Sequence, residues 1–274
     1  MATAGDKLGP YTLHELINSG GQSEIWLATD EAGQSFAVRM LLNDSMFAFK
    51  EKGQFQTGAE ILKACQDGRF IIGYVEHGKF NGQRALVLEY VEGSNLKLLL
   101  NAGDPVLTEN IAQVLLDFAS ALEVVHDRGF MHLDVKPENV LLSRNGSLRL
   151  VDFDLAQPIP NPPRKMDKLS GTPAYMAPEQ LLRQPVDHRA DLWAFGVSAY
   201  ELLTLKKPFP GENADEVLRR QLDRKEFVPP REINGDIPAE LQRIILRCLE
   251  REPDRRYPIT SVLVHELKQA LYVG

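Results

Sequence analysis

The stretch Met131-His132-Leu133-Asp134-Val135-Lys136-Pro137-Glu138-Asn139-Val140-Leu141 carries a carboxylate, an ammonium group and a carboxamide within six residues. A proline lies inside it, so the stretch cannot form the middle of a helix. We predict a polar loop that leads into a short buried strand at 140–142. Asp134 is suited to accept a proton from an alcohol, Lys136 to hold a phosphate and Asn139 to ligate a metal. Taken alone, the pattern is also typical of a solvated turn.

The composition indicates a globular protein. The chain has 274 residues, of which 43% are hydrophobic and 25% are charged. No apolar run is long enough to span a membrane, and no signal peptide is visible. A net charge of −7 without a basic cluster argues against nucleic acid as a partner. Cys65 and Cys248 lie far apart in amphipathic segments, so we expect buried free thiols and a reducing, cytoplasmic location.

The first third of the chain alternates turns with apolar runs, which is typical of an antiparallel sheet. We expect five strands and one helix there. The predicted strands are 11–17, 25–28, 36–41, 70–74 and 85–90, and the predicted helix is 55–66.

The remainder of the chain is predicted to be mainly helical. Thr108 is the expected N-cap of a helix at 108–126, and Asn213 that of another. Further predicted elements are a strand at 148–153, an exposed Pro-rich loop at 157–171, a helix buried on most sides at 187–204, and helices at 239–250 and 260–271. We therefore predict an α+β fold with two lobes, residues 1–91 and 92–274, joined by a hinge at 89–94.

The opening stretch is followed by five further motifs. In chain order the six are His132-Leu133-Asp134 with Asn139, Asp152-Phe153-Asp154, Gly171-Thr172-Pro173-Ala174-Tyr175-Met176, Ala177-Pro178-Glu179, Asp191-Leu192-Trp193-Ala194-Phe195-Gly196, and Arg256. Together they resemble the eukaryotic-type (Hanks-type) serine/threonine protein kinase family over about residues 11–271, and six motifs in the family's order are far more specific than any one of them. The resemblance implies a bilobal protein-kinase-like fold that forms one kinase domain.

The resemblance also implies transfer of a phosphoryl group from ATP to a serine or threonine of a protein partner. Asp134 would orient the attacking hydroxyl, and Lys136 would stabilise the moving phosphoryl group. Asn139 and Asp152 would hold magnesium, with manganese as an alternative metal. The other implied positions are nucleotide contacts at Gly20, Gly21, Ile25, Ala37, Arg39, Glu89, Val91 and Leu141, and docking or structural residues at Thr172, Glu179, Asp191 and Arg256. For the apolar positions, core packing is an equally good explanation.

Departures from the family pattern cluster where phosphates would be held. Asn18–Ser23 replaces a glycine-rich loop, and its side chains restrict how closely the backbone can approach phosphates. Arg39 stands in place of the strand lysine. The glutamate that pairs with that lysine falls at Gly58, unless the register differs and Glu60 or Glu51 has the role.

Two more departures concern the metal and the regulation of the site. Asp154 replaces a glycine, and it is either a second carboxylate near the metal or a solvent-facing turn residue. Leu133 replaces the arginine that reads a phosphorylated activation loop. Ser170 is the one candidate phosphosite between Asp152 and Gly171.

Three functions compete on this evidence. The first is a slow protein kinase that uses Arg39, since each lost charge contact costs on the order of 3 kcal/mol, or ~10²-fold in rate. The second is a pseudokinase that binds nucleotide or serves as a scaffold and regulates a protein partner. The third is a small-molecule phosphotransferase, which the peptide-docking motifs disfavour. The sequence specifies neither the substrate nor the oligomeric state.

Overall fold

An antiparallel sheet forms the N-terminal part of this computed structural model, which describes residues 2–20, 22–42, 49–166 and 169–272. The elements of this part are β1 Lys7–Leu8, β2 Tyr11–Ser19, β3 Ser23–Thr29, β4 Ser35–Leu41, α1 Phe49–Ala64, β5 Tyr74–Phe80 and β6 Gln83–Glu89. Within those residues, six strands pair in the order β1-β2-β3-β4-β6-β5. The predicted five-stranded sheet is therefore extended by the two-residue strand β1.

The two faces of β3 and β4 have different surroundings, because successive side chains of a strand point to opposite faces. Trp26 and Val38 pair across the strands and are buried in the N-terminal core. The alternate residues Ile25, Ala37 and Arg39 are half-buried on the other face. Three of the predicted nucleotide contacts thus share one face of the sheet.

The strand predicted at 70–74 is wrong. Ile71 is buried and forms only an isolated bridge to Leu150, and β5 begins at Tyr74. The carboxylate of Asp67 accepts the backbone N–H groups of Phe70 and Ile71, at 3.0 and 3.1 Å, so these donors are not offered to a neighbouring strand. The apolar run is buried by a side-chain-capped turn rather than by a sheet.

The C-terminal part is mainly helical. Its strands are β7 Gly93–Asn95, β8 Phe130–Met131, β9 Val140–Ser143, β10 Leu148–Leu150, β11 Gln157–Pro158, β12 Arg164–Lys165 and β13 Pro185–Val186. Its helices are α2 Leu96–Ala102, α3 Pro105–Thr108, α4 Ile111–Asp127, α5 Pro178–Leu181, α6 Arg189–Thr204, α7 Ala214–Asp223, α8 Pro230–Ile233, α9 Ala239–Cys248 and α10 Thr260–Tyr272. The predicted α+β class is confirmed, while the lobe boundary at residue 91 stays a prediction.

Most predicted helices form, with corrected ends. Thr108 is the last residue of α3 and not the N-cap of α4, which begins at Ile111. Asn213 does cap α7, because its side chain accepts the backbone N–H of Glu216 at 3.0 Å. The helix α6 is buried on nearly every side, as its apolar sequence predicts. Helix α6 is thus the central helix against which the loops of the candidate site are held.

The two cysteines are free and buried, as predicted. Burial raises the pKa of Cys65 to about 11 and that of Cys248 to about 12. Among the helices of the described residues, none is both long and apolar enough to cross a membrane.

Candidate active site

The loop between β8 and β9 brings together the two predicted catalytic residues and one predicted metal ligand. The Oδ2 atom of Asp134 accepts hydrogen bonds from Lys136 Nζ and Asn139 Nδ2, both at 2.7 Å. A single 3₁₀ turn at Pro137–Asn139 returns the chain toward Asp134. The other carboxylate oxygen, Oδ1, accepts no hydrogen bond from any residue that the structure describes. Asp134 therefore keeps one oxygen available to a hydroxyl group.

Asp191, in the first turn of α6, fixes the backbone of this loop. Its two carboxylate oxygens accept the backbone N–H groups of His132 and Leu133, both at 2.7 Å, and one oxygen also contacts His126 Nε2 at 2.9 Å. Burial by itself would raise the pKa of Asp191, but the hydrogen bonds and the attraction to both histidines outweigh burial and lower it. The carboxylate is thus a charged anchor for the loop.

The segment Asp152-Phe153-Asp154 follows β10 and is tied to the same loop. Phe153 is buried, and its ring packs edge-on against His132 with centroids 4.9 Å apart. Leu133 and Asp152 have φ values of 64° and 62°, which non-glycine residues rarely adopt. Backbone strain of this kind clusters at functional sites. The two strained residues lie in the two segments that carry the predicted catalytic and metal-binding side chains.

Arg39 reaches across from β4 to this segment. Its guanidinium donates to both oxygens of Asp154, Nη1 to Oδ1 at 2.8 Å and Nη2 to Oδ2 at 2.6 Å. Nη1 also lies 3.4 Å from Asp152 Oδ1, and Nε donates to Ser23 Oγ at 3.0 Å. Burial by itself would lower the pKa of Arg39, but attraction to the two carboxylates outweighs burial and raises it. Arg39 is therefore a charged and firmly held residue.

Asp154 is a partner of Arg39 and not a solvent-facing turn residue. Its side chain is 21% exposed, compared with 38% for Asp152. Burial raises the pKa of the Asp154 carboxyl, and the charge of Arg39 opposes that shift. Of the two interpretations that the sequence allows, the structure excludes the solvent-facing turn residue, while a role of Asp154 near a metal stays a prediction.

Helix α1 contributes no carboxylate to Arg39. Gly58 faces the metal-binding segment, and a Cβ atom at Gly58 would lie 2.8 Å from the carbonyl oxygen of Phe153. Glu60 is exposed and contacts His77 at 3.3 Å. Among the residues that the structure describes, the side-chain acceptors of Arg39 are only Ser23, Asp152 and Asp154. Neither Glu60 nor Glu51 serves, so the expected loss of the strand–helix pair is correct.

The other predicted nucleotide contacts include three apolar residues and two glycines close to this site. Ile25, Ala37 and Leu141 are half-buried. Gly20 lies in the turn between β2 and β3, where its N–H donates to the carbonyl of Ser23 at 2.9 Å. Gly21 lies outside the described residues.

Glu89 and Val91 differ in their predicted roles. The Glu89 carboxylate accepts from Arg149 Nε at 2.6 Å and from the backbone N–H of Gly73 at 3.0 Å, so its side chain fastens the end of β6. The sequence analysis did not anticipate this structural role. The backbone N–H of Val91 has no acceptor within the described part of the chain, which leaves it available to a ligand.

The segment after β12 closes over the catalytic loop. Thr172 Oγ1 accepts from Lys136 Nζ at 3.1 Å. Gly171 has a φ of 119°, a conformation that favours glycine. Ser170 is half-buried and lines a cleft of about 330 Å³ that also contains Leu133 and Arg183.

The pair of Glu179 and Arg256 is buried, at 4% and 1% exposure. Two hydrogen bonds of 2.7 Å join them. The other three guanidinium N–H groups donate to backbone carbonyls, and the planar group lies 5.1 Å from the ring of Trp193. Every donor of Arg256 is therefore satisfied, as a buried arginine requires.

The side chains present fit a magnesium ion. Asn139 donates through Nδ2, and its Oδ1 accepts no hydrogen bond from the residues described. Asp152 adds a partly exposed carboxylate. Within the described ranges, no group of three or more His, Cys, Asp or Glu side chains could hold a metal. Magnesium needs few protein ligands where phosphates supply the rest.

The sheet and the loops that carry the predicted catalytic and metal-binding residues have the arrangement of a protein kinase domain. Residues 11–267 match the family model described as the protein kinase domain. The chain therefore belongs to the Hanks-type serine/threonine protein kinase family, as its motifs suggest.

Several bacterial relatives are similar to it. A probable serine/threonine-protein kinase of Clostridium acetobutylicum is 30% identical over 94% of this chain and 39% of its own length. One of Streptomyces coelicolor is 32% identical over 91% of this chain and 38% of its own length. The serine/threonine-protein kinase PknB of Mycolicibacterium smegmatis is 30% identical, over 94% and 42% respectively. The chain thus spans about two fifths of the length of these relatives. Family and site together support a serine/threonine protein-kinase-like function.

Proposed function

We propose that this domain is an ATP- and magnesium-dependent serine/threonine protein kinase. The observation that carries the proposal is the arrangement of Asp134, which is held through Oδ2 by Lys136 and Asn139 and has Oδ1 free. A scaffold has no chemical need for this arrangement together with an intact pair of metal ligands. The two proposed metal ligands are Asn139 and Asp152.

In this proposal, Asp134 Oδ1 orients the substrate hydroxyl and accepts its proton. Lys136, between Asp134 and Thr172, places its positive charge where the phosphoryl group is transferred. Asn139 Oδ1 and Asp152 hold magnesium or manganese, which neutralises phosphate charge when bound. Phosphoryl transfer needs little more than this positioning and charge neutralisation.

The nucleotide would lie along the half-buried face of β3 and β4. Ile25, Ala37 and Leu141 enclose the adenine, while the backbone of Glu89 and Val91 supplies its hydrogen bonds. Phosphates would meet Arg39 and the turn with Gly20 and Gly21. One N–H group of Arg39 Nη2 has no acceptor among the described residues, so it is available to a phosphate oxygen.

The test is phosphate incorporation from magnesium-ATP into generic serine- and threonine-containing proteins. We expect incorporation by the wild type, and a loss of at least ~10²-fold in Asp134→Asn because the base is removed. Asp127→Asn makes the same change at an exposed position outside the site and should have no effect. Equal incorporation by wild type and Asp134→Asn, or none by either, would contradict a kinase.

One observation favours the pseudokinase alternative. Arg39 lies 3.4 Å from Asp152, so a metal would share that carboxylate with a guanidinium. A thermal-shift titration with magnesium-ATP tests whether a nucleotide site exists, because nucleotide at ~100 times its Kd stabilises the fold by about 2.7 kcal/mol. No shift at millimolar nucleotide would count against both the kinase and a nucleotide-binding pseudokinase. Binding without transfer to any acceptor would favour the pseudokinase. Transfer to small molecules but not to proteins would favour the third function.

The remaining assignments stay predictions. A protein substrate is the expected partner, and a cytoplasmic location rests on the free thiols. Ser170 is the one candidate activation-loop phosphosite, which mass spectrometry of active protein tests directly: an unmodified Ser170 would remove the assignment. Thr172, Glu179, Asp191 and Arg256 are proposed to order the loops rather than to react.

A further inference from the structure

We propose that Asp154 is the positioning residue for Arg39. It has the role that the helix glutamate has in the typical pattern of the protein kinase family. The inference rests on the proposed function, because it concerns the same nucleotide site. Asp154 binds both outer nitrogens of the guanidinium, at 2.8 and 2.6 Å. A bidentate pair fixes the plane of the guanidinium as well as its distance.

The packing of α1 excludes a helix carboxylate at this place. A Cβ at Gly58 would lie 2.8 Å from the Phe153 carbonyl oxygen and 3.0 Å from the Asp154 Cα. Side chains at this turn of the helix would displace the metal-binding segment. The chain has a glycine on the helix, an arginine on β4 and a carboxylate on the loop, and these three residues fit one another.

Asp154 also limits how strongly Arg39 binds Asp152, the proposed metal ligand. The nearest alternative carboxylate is that of Asp152, already 3.4 Å from Nη1. Without Asp154, the guanidinium of Arg39 would bind Asp152 and compete with the metal for that carboxylate. The main consequence of losing Asp154 is therefore an increased requirement for magnesium.

This arrangement changes how the site can be regulated. The pair joins β4 to the metal-binding loop, and α1 supplies none of its charges. Movement of α1 would act on the pair only through its packing, which includes the close approach of Gly58 to Phe153 and Asp154. The conformation of Asp152-Phe153-Asp154 decides whether Arg39 is in place, so we infer that control of the site acts on this loop.

The experiment is a double-mutant cycle with Arg39→Ala, Asp154→Ala and both together. Three quantities are measured: the Kd of magnesium-ATP, the magnesium concentration that gives half-maximal nucleotide binding, and the thermal stability of the ligand-free protein. Asp154→Ala should raise the half-maximal magnesium concentration about 10-fold, the size of a typical coupling between contacting residues. In the Arg39→Ala background, Asp154→Ala should have little effect on the half-maximal magnesium concentration. Glu60→Gln removes a helix carboxylate that is bound to His77 and should leave all three quantities unchanged.

Additive effects on magnesium dependence would overturn the proposal, as would a Glu60→Gln variant with the phenotype of Asp154→Ala. A loss of stability with unchanged magnesium dependence would assign Asp154 a structural role only. Because binding is the readout, a wild type that binds nucleotide without transferring phosphate contradicts the proposed kinase but still tests Asp154. A wild type that binds no magnesium-ATP at millimolar concentration contradicts both.

Discussion

Arg39 and Asp154 are joined by two hydrogen bonds, although they are 115 residues apart in the sequence. Each residue by itself is a departure from the kinase family pattern at a position that concerns ATP. Together they form a charged pair at the expected place. The side of the site that is proposed to hold phosphates therefore departs from the family pattern but is still ordered. Its order depends on the fit of Gly58 against Asp152-Phe153-Asp154.

Gly58→Ala should disturb this fit. The added methyl group would meet backbone atoms at 2.8 Å, so we expect a destabilisation of about 1–3 kcal/mol and weaker nucleotide binding. Gly53→Ala is the matched control on the same helix, since it is exposed and its Cβ would meet nothing within 4 Å. The control should stabilise by up to about 1 kcal/mol through helix propensity. Chemical denaturation of both variants measures this, and equal behaviour would contradict the close contact.

Asp191→Asn should loosen the catalytic loop. In asparagine an NH2 donor replaces one of the two oxygens that accept backbone N–H groups, so the change should cost on the order of 3 kcal/mol and most of the activity. The pKa of Asp191 is lowered in the folded state, so its contribution is present above about pH 4 and is lost as pH falls through the lowered value. The stability difference between wild type and variant should narrow below about pH 4. A difference independent of pH would contradict a charged anchor.

Some of this could be read from the sequence and some could not. The meeting of Asp134, Lys136 and Asn139 in one loop was predictable, because phosphoryl transfer needs such groups in a fixed order within short loops. Their roles, and that of Asp152, stay predictions. The pairing of Arg39 with Asp154 was not predictable, since a contact between distant segments depends on packing. The only signal in the sequence was that Arg39, Gly58 and Asp154 all depart from the family pattern.

The errors in the fold also have local causes. The apolar run after Asp67 has the composition of a strand, and only the hydrogen bonds that its backbone N–H groups donate to the Asp67 carboxylate show that these groups are already used. Thr108 is a favourable N-cap by type, but the short helix α3 ends there. Patterns of apolar residues indicate burial more reliably than they indicate hydrogen-bond partners.

The buried pair of Glu179 and Arg256 should show strong non-additivity. Glu179→Leu leaves two guanidinium N–H groups without an acceptor and a buried charge uncompensated, so each single change should cost about 3–5 kcal/mol. The double variant Glu179→Leu with Arg256→Met should be less destabilised than the sum of the single changes. Urea denaturation of the three variants measures the coupling. Additive losses would contradict a paired role.

The thiols should be inert in the native protein. Cys65 and Cys248 are buried, and their pKa values are raised to about 11 and about 12, so almost no thiolate is present at pH 8. We expect no alkylation by iodoacetamide under native conditions and alkylation of both residues in denaturant. Rapid native alkylation detected by mass spectrometry would contradict the burial of these residues.

Arg39→Lys tests the central claim most directly, because it restores the residue typical of the family. If Arg39 were a misfit, lysine would improve the site. Lysine cannot bind both oxygens of Asp154 and also donate to Ser23 as the guanidinium does. We therefore predict that kcat/KM for ATP falls about 10-fold or more and that the Kd of magnesium-ATP rises. An Arg39→Lys variant with higher kcat/KM or tighter nucleotide binding than the wild type would contradict the account.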